Sequence, residues 1–508
     1  MQGIISGISL ASGYGLGVLC SFVFRWLTNW QPSAKVRRAA WLALCVLSPV
    51  TILFYMTHAR GWQNDVRRLV EESPLSNGHM IRIAVLALLV GIVLILIGRF
   101  IRFVTRKLID FIDKFLPKRI SVGLGCIVVG LFMYWAFSGV LVKNWVAASN
   151  RAYLSHNNET PEGVSKPVQP TRSGSDQSFV PWDSLGFQGK KFIGKGPSIE
   201  QLQTFNNMPA MEPVRVYVGV KSAPDAQARA KLAVEELKRT NAFSRQILII
   251  ATPTGTGWLE PQTMDSLEYM YNGNSAIVAQ QYSYLPSWIS FLVDRENATE
   301  ASQALHDAVY AEWSKLPRES RPKLISYGLS LGSFGSQSVF NSPSNVRRMV
   351  DGAMFVGTPN TTSLWRSITK QRDAKSSEWQ PQYQHGASVR FASTSADLEP
   401  NSADWEAPRI AYLQHASDPV VWFNYDLALH KPDWLREKRG SDVSESMHWY
   451  PIVTFLHVVV DQFIGTTVPD GHGHNYASSI VSAWHAVAQP PDWTEDKGQQ
   501  LQQHINNY

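Results

Sequence analysis

The chain has 508 residues, too many for one ordinary domain, and 44% are hydrophobic while only 17% are charged. Its net charge of +6 is unevenly spread: residues 1–150 hold sixteen Lys/Arg against five Asp/Glu, so the remainder is acidic, at −5. That distribution gives little reason to expect a nucleic-acid partner, and the three cysteines, Cys20, Cys45 and Cys126, exclude disulfides, a cysteine nucleophile and a thiolate metal site after residue 126.

Four apolar runs come first, at Ile4–Phe24, Ala39–Met56, Ile81–Ile97 and Ile120–Val142. A helix needs about 20 apolar residues to cross a bilayer, and these runs predict four spanning helices in a domain over residues 1–145. Basic residues set the expected orientation. The first loop carries Arg25, Lys35, Arg37 and Arg38, and the third carries seven Lys/Arg from Arg99 to Arg119. The second has Arg60, Arg67 and Arg68, offset by Asp65, Glu71 and Glu72. The first and third loops are therefore expected in the cytoplasm, and everything after Lys143 on the extracytoplasmic side of the cell (inner) membrane. The spans hold almost no charge, which argues against a transport pathway.

Residues 146–196 are polar and broken by Pro161, Pro167 and Pro170, and read as a linker or an extension. Trp182, Leu185, Phe187 and Phe192 make the end of this stretch too apolar for a free tether. From residue 197 to 508 the pattern changes. Strand-like runs at Val214–Val220, Gln246–Ala251, Ala276–Gln281, Leu324–Tyr327, Ala353–Val356 and Ile410–Gln414 alternate with helical ones such as Ala223–Arg239 and Glu300–Leu316. That alternation predicts an α/β domain with a mostly parallel sheet covered by helices.

The chemistry centres on Gly328-Leu329-Ser330-Leu331-Gly332. A strand precedes it and a helix can open after it, so Ser330 would stand on a sharp strand-to-helix turn as a nucleophile. An inert serine in a Gly-rich turn is the plain alternative. The backbone N–H of Leu331 would be one oxyanion donor. A serine needs a base and the base an acid, in the chain order Ser, Asp or Glu, His for this arrangement. Asp418, leaving the strand that ends near Gln414, is the candidate acid, with Asp433, Asp442 and Asp461 as weaker alternatives. A turn or helix-capping role is its competing reading. In Gly471-His472-Gly473-His474-Asn475-Tyr476, just before the helical run Ala477–Ala488, His474 is favoured as the base and His472 is the alternative. The two histidines lack a further ligand cluster, so no metal is expected, nor any cofactor.

A second oxyanion donor is expected from Gly255, Thr256 or Gly257 in the loop Thr252–Trp258, whose spacing fits no nucleotide fingerprint. Trp258, Tyr282 and Tyr284 are candidates for the lining of a substrate pocket, although the tyrosine stretch reads equally as core. Trp449–Ile464 is strongly apolar and reads as a lid, a face lying on the bilayer, or core.

Together the blocks Thr254–Trp258, Gln281–Trp288, Gly328–Gly332, Tyr412–Asp418 and Gly471–Tyr476 resemble those of bacterial membrane-anchored α/β-hydrolases, which join a multi-span N-terminal domain to an α/β-hydrolase catalytic domain. The resemblance extends over almost the whole chain. It implies a serine ester hydrolase with Ser330, Asp418 and His474 as its triad. Some members of that family look like aminoacyl-phosphatidylglycerol hydrolases, so the resemblance also implies a membrane lipid as substrate. The alternatives are an esterase or acyltransferase for another envelope lipid, and a non-catalytic hydrolase fold used for binding.

Overall fold

The computed structural model describes residues 2–28, 32–76, 78–136, 142–293, 295–398 and 405–506. They form two compact units: residues 1–148 with 427–430 and 443–461, and residues 149–426 with 431–442 and 462–508.

The first unit is helical. Its long helices are α1 (Gln2–Thr28), α2 (Ala34–Leu69), α3 (His79–Ile112) and α4 (Lys118–Trp135), and all four are long and apolar enough to cross a membrane. Nothing in α2 is buried, and Leu47, Leu53, Leu89 and Phe132 are among the many large apolar side chains left exposed. Water does not tolerate such a surface, which marks this unit as membrane-associated. Close packing centres on α1 and α3, where Ile5 is buried and Gly3 and Gly7 sit against the backbone of α3. The third basic stretch is not a loop throughout, because α3 continues as helix through Arg99, Arg102 and Arg106 to Ile112. The end of the fourth apolar run, residues 137–141, lies outside the described residues. Residues 443–461, including most of the apolar run Trp449–Ile464, group with this helical unit.

The second unit is built on seven parallel strands: β1 (Val214–Val218), β2 (Ile247–Thr252), β3 (Ser275–Gln280), β4 (Lys323–Leu329), β5 (Gly352–Val356), β6 (Val389–Ala392) and β7 (Arg409–Leu413). Their order in the sheet is β1-β3-β2-β4-β5-β7-β6. Every residue of β1, β2, β3 and β5 is buried, as a parallel sheet covered on both faces requires. Six strands match the sequence reading to within a few residues. The seventh, β6, is four residues of Val-Arg-Phe-Ala, too short to show a period.

The stretch before β1 is held as an ordered extension. Arg172 forms an isolated bridge with Arg215 of β1 and donates to the carbonyls of Ile193 and Lys195 at 2.9 and 3.0 Å. Arg215 is buried between Glu268, at 2.7 Å, and Asp265, and also donates to the carbonyl of Phe192 at 2.6 Å. Buried Glu236 accepts from the Phe179 N–H at 2.6 Å and the Ser178 hydroxyl at 2.9 Å. Leu185 and Ile193 are fully buried, so an apolar seal accompanies these polar staples.

Candidate active site

In a parallel sheet, the loops beyond the carboxyl ends of the strands converge on one edge, and ligands bind there. Ser330 follows β4, Thr254 follows β2, Gly357 follows β5 and Asp418 follows β7, so four strands deliver groups to the same edge. Ser330 has φ 59° and ψ −123°, a conformation a non-glycine residue adopts only when its surroundings impose it. Its N–H donates to the Val356 carbonyl at 2.8 Å, extending the β4–β5 ladder, while the helix Leu331–Gln337 starts at the next residue. The flanking glycines are steric necessities. A Cβ on Gly328 would overlap the Gly332 backbone, and one on Gly332 would overlap the Thr252 carbonyl. The bend thus presses the nucleophile loop against β2. Leu331 N–H opens the short helix and has no acceptor among the described residues.

Asp418 is fully buried and uses both oxygens. Oδ1 accepts from the N–H groups of Val420 and Val421 at 2.8 and 3.4 Å, capping the turn Pro419–Trp422. Oδ2 lies 2.6 Å from His474 Nδ1 and accepts from the Tyr476 hydroxyl at 2.6 Å. Both readings of this aspartate therefore hold at once: it caps a turn and it faces an imidazole. The Tyr476 hydroxyl is buried beside this carboxylate, and burial pushes its pKa far up, so it remains a donor.

The other ring nitrogen, His474 Nε2, is buried and has no hydrogen-bond partner among the described residues. No hydrogen bond joins it to Ser330 Oγ in this structure, yet both residues line the same cavity of about 390 Å³. Such bonds often tighten only when substrate binds. His472 stands apart. Its Nδ1 is 4.0 Å from Asp442, and it does not border the cavity.

The loop bearing His474 is fixed by several bonds. Ser417 donates to Asp442 through its hydroxyl, which in turn accepts from the Gly473 N–H at 2.8 Å. The His474 N–H donates to the Gly465 carbonyl at 2.8 Å. His415 Nδ1 lies 2.9 Å from the Gly473 carbonyl, and its ring stacks on Tyr476 with centroids 4.2 Å apart. Burial lowers the pKa of His415, which favours the neutral imidazole at this contact. Gly357 has φ +54° and touches the His474 ring so closely that a Cβ would overlap Cε1. Sequence reasoning missed Gly357, Ser417 and His415; the position of Gly357, just past a strand end, was the only available signal.

The cavity wall differs in part from the expected one. Trp258 and Thr254 line it, but Gly255, Thr256 and Gly257 do not. The Gly255 N–H is taken by the Ser287 hydroxyl at 3.1 Å, and the Gly257 N–H closes a turn on the Thr254 carbonyl at 2.8 Å. The Thr256 and Gly257 carbonyls accept from Gln281 and Tyr217, which turns this part of the loop toward the interior. The loop folds this way because Thr254 and Trp258 pair through their backbones at 3.0 Å. Tyr282 packs into an alanine-rich core with Ala230, Ala298 and Leu331, and Tyr284 does not border the cavity. Ser287, Trp288 and Phe291 line it in their place, one helical turn further along. A wider cleft of about 490 Å³ lies around Trp379, His385 and Arg390, but none of Ser330, Asp418 and His474 borders it. No cluster of three or more potential metal ligands exists among the described residues.

A family model described as the alpha/beta-hydrolase family matches residues 214–501, and one described as the N-terminus of an alpha/beta-hydrolase family matches residues 1–197. No curated protein and no solved structure matches the chain. The sheet, the strained turn at residue 330 and the match over more than half the chain lead to one assignment: this protein belongs to the alpha/beta-hydrolase family, as a hydrolase with an N-terminal unit of four long apolar helices.

Proposed function

We propose that the protein is a membrane-anchored serine ester hydrolase that removes the amino acid from aminoacyl-phosphatidylglycerol. The observation that carries the reading is the 2.6 Å bond between His474 Nδ1 and Asp418, with Nε2 left unpartnered in the cavity that Ser330 lines. Asp418 fixes the tautomer in which Nε2 is the basic nitrogen. His474 takes the proton from Ser330 as Oγ attacks the ester carbonyl. The alcohol leaves with that proton, and water then releases the acid from the acyl-enzyme by the same relay. The Leu331 N–H and the hydroxyl of Thr254, a residue of the cavity wall, act as donors to the oxyanion.

The lipid substrate is supported by three observations. Four helices are long and apolar enough to anchor the chain in a bilayer, where a tethered catalytic unit would meet headgroup esters at high effective concentration. Trp288, Phe291, Leu329 and Phe423 give the cavity an apolar wall suited to an acyl or glyceryl chain. The resemblance noted above supplies the aminoacyl ester itself. The distribution of Lys and Arg supports a catalytic unit on the extracytoplasmic side of the cell membrane.

Comparing the membrane lipids of cells with and without the gene tests the substrate. Aminoacyl-phosphatidylglycerol should accumulate when the gene is absent; an unchanged level with another ester lipid accumulating would transfer the activity to that lipid. Labelling of the purified protein by a fluorophosphonate separates an enzyme from a non-catalytic hydrolase fold.

A further inference from the structure

The cavity beside Ser330 contains one acid that the hydrolytic relay does not use. Glu260 borders it, at the start of the helix Pro261–Met270, and among the described residues on that wall it is the only carboxylate. Among the described residues no Lys or Arg borders the cavity. Glu260 does not cap the helix that follows it, because its side chain accepts no bond from the first-turn N–H groups. Its Oε2 accepts from the Thr263 hydroxyl at 2.5 Å, and Oε1 has no hydrogen-bond partner among the described residues.

Glu260 is half-buried and has no Lys or Arg beside it, whereas several of the acids buried elsewhere in the fold lie on a cation. Asp265 and Glu268 lie on Arg215, and Glu236 lies on Arg239 at 2.7 Å. A carboxylate drawn partly out of water into a cavity with no cation is costly, which is why such groups are normally paired. Burial pushes the carboxyl of Glu260 above the ordinary range, against the Thr263 hydroxyl and the nearby His474 imidazole. A cation entering the cavity would remove that cost. The neighbouring wall suits one: Trp258, Trp288, Phe291 and Phe423 present aromatic rings, whose faces attract cations.

We infer that Glu260 and this aromatic wall form a subsite for a protonated amine, so that the enzyme selects esters whose acyl part carries an ammonium group. The inference rests on the esterase reading of the cavity and names the substrate feature that the cavity reads. Glu260 accepts hydrogen bonds from the ammonium through Oε1 while the scissile carbonyl lies at Ser330. An ester in which the amine is acetylated keeps the carbonyl and the chain but loses the charge, and the carboxylate stays unpaired.

The test uses the full-length protein in detergent with alanine methyl ester, N-acetylalanine methyl ester and methyl propionate, following acid release. Wild type should prefer the free-amine ester over both neutral ones by about 10- to 100-fold in kcat/KM, the worth of one hydrogen bond to a charged group. Glu260→Gln should bring that ratio close to one, and Glu260→Asp, which keeps the charge, should restore part of it. The ratio is read within each variant, so a general loss of rate does not enter it. A fluorophosphonate reports an intact Ser330 in every sample. Wild type that shows no preference, or a labelled Glu260→Gln that keeps the full ratio, overturns the subsite. Wild type that is neither labelled nor active on any ester overturns the esterase reading instead.

Discussion

Leu89 in α3 and Ile249 in β2 are both aliphatic, yet the first is 57% exposed and the second 0%. The contrast runs through both units. The N-terminal helices turn most of their leucine, valine and phenylalanine outward and bring glycine into close contact, whereas the sheet turns the same residue types inward. One unit is folded for a hydrocarbon solvent and the other for water. Only the second can therefore hold a fully buried carboxylate such as Asp418, whose neighbours satisfy all its bonds.

Four changes would break or sharpen that division. The largest effect belongs to Asp418→Asn. It keeps the turn but removes the carboxylate that fixes the His474 tautomer, and kcat should fall by about 10⁴-fold. Ester hydrolysis at matched protein concentration checks this, and a decrease of only a few fold would remove Asp418 from the relay. Arg215→Ala comes next. It strands Glu268 and Asp265 and cuts a staple of the extension, so the catalytic unit should lose about 3–5 kcal/mol, read as a lower denaturation midpoint. In the helical unit, Leu89→Arg places a charge on an exposed apolar face of α3. It should cost about 2.5–3.5 kcal/mol of membrane insertion, read as a smaller membrane-integrated fraction, while fluorophosphonate labelling of the inserted protein persists.

The smallest effect depends on pH. His306 is buried against Tyr310 and Phe340, neither ring nitrogen has a hydrogen bond among the described residues, and burial lowers its pKa to about 4 although Asp307 lies 3.8 Å from Nδ1. The ordinary value is near 6.5. Between those values the unfolded chain holds the extra proton, so His306 costs no stability above the upper one. The cost grows as pH falls toward the lower one, reaching at most about 3 kcal/mol. His306→Phe should flatten the decline in denaturation midpoint between pH 6.5 and 4; a variant with the wild-type slope would contradict the assignment.

Much of this division was legible in the sequence, because each feature had a local cause. Apolar runs of membrane-spanning length and alternating strands and helices follow from neighbours along the chain. The turn at Ser330 announced itself through Gly328 and Gly332, which the fold needs because backbone crowds both positions. Asp418 was visible as a residue leaving a strand. What depends on distant residues was not legible. The choice of His474 over His472 for contact with Asp418 is made by the Gly465 carbonyl, Gly357 and the Ser417–Asp442 pair, none of them adjacent in sequence. The loop Thr254–Trp258 suggested a glycine-lined oxyanion site, but Gln281, Tyr217 and Ser287 engage its backbone from elsewhere. Tyr282 read equally as pocket lining or core and lies in the core, because the facing helices present alanines that leave room for its ring. Glu260 carried no signal, since a lone glutamate before a proline reads as an ordinary helix start.

The most direct test compares ester turnover by purified full-length wild type and Ser330→Ala in the same detergent. The expected result is a loss of about 10⁶-fold in kcat, down to background, with an unchanged denaturation midpoint. Turnover by Ser330→Ala at or near the wild-type rate would contradict the account, because the hydroxyl on the strained turn would then have no part in the chemistry.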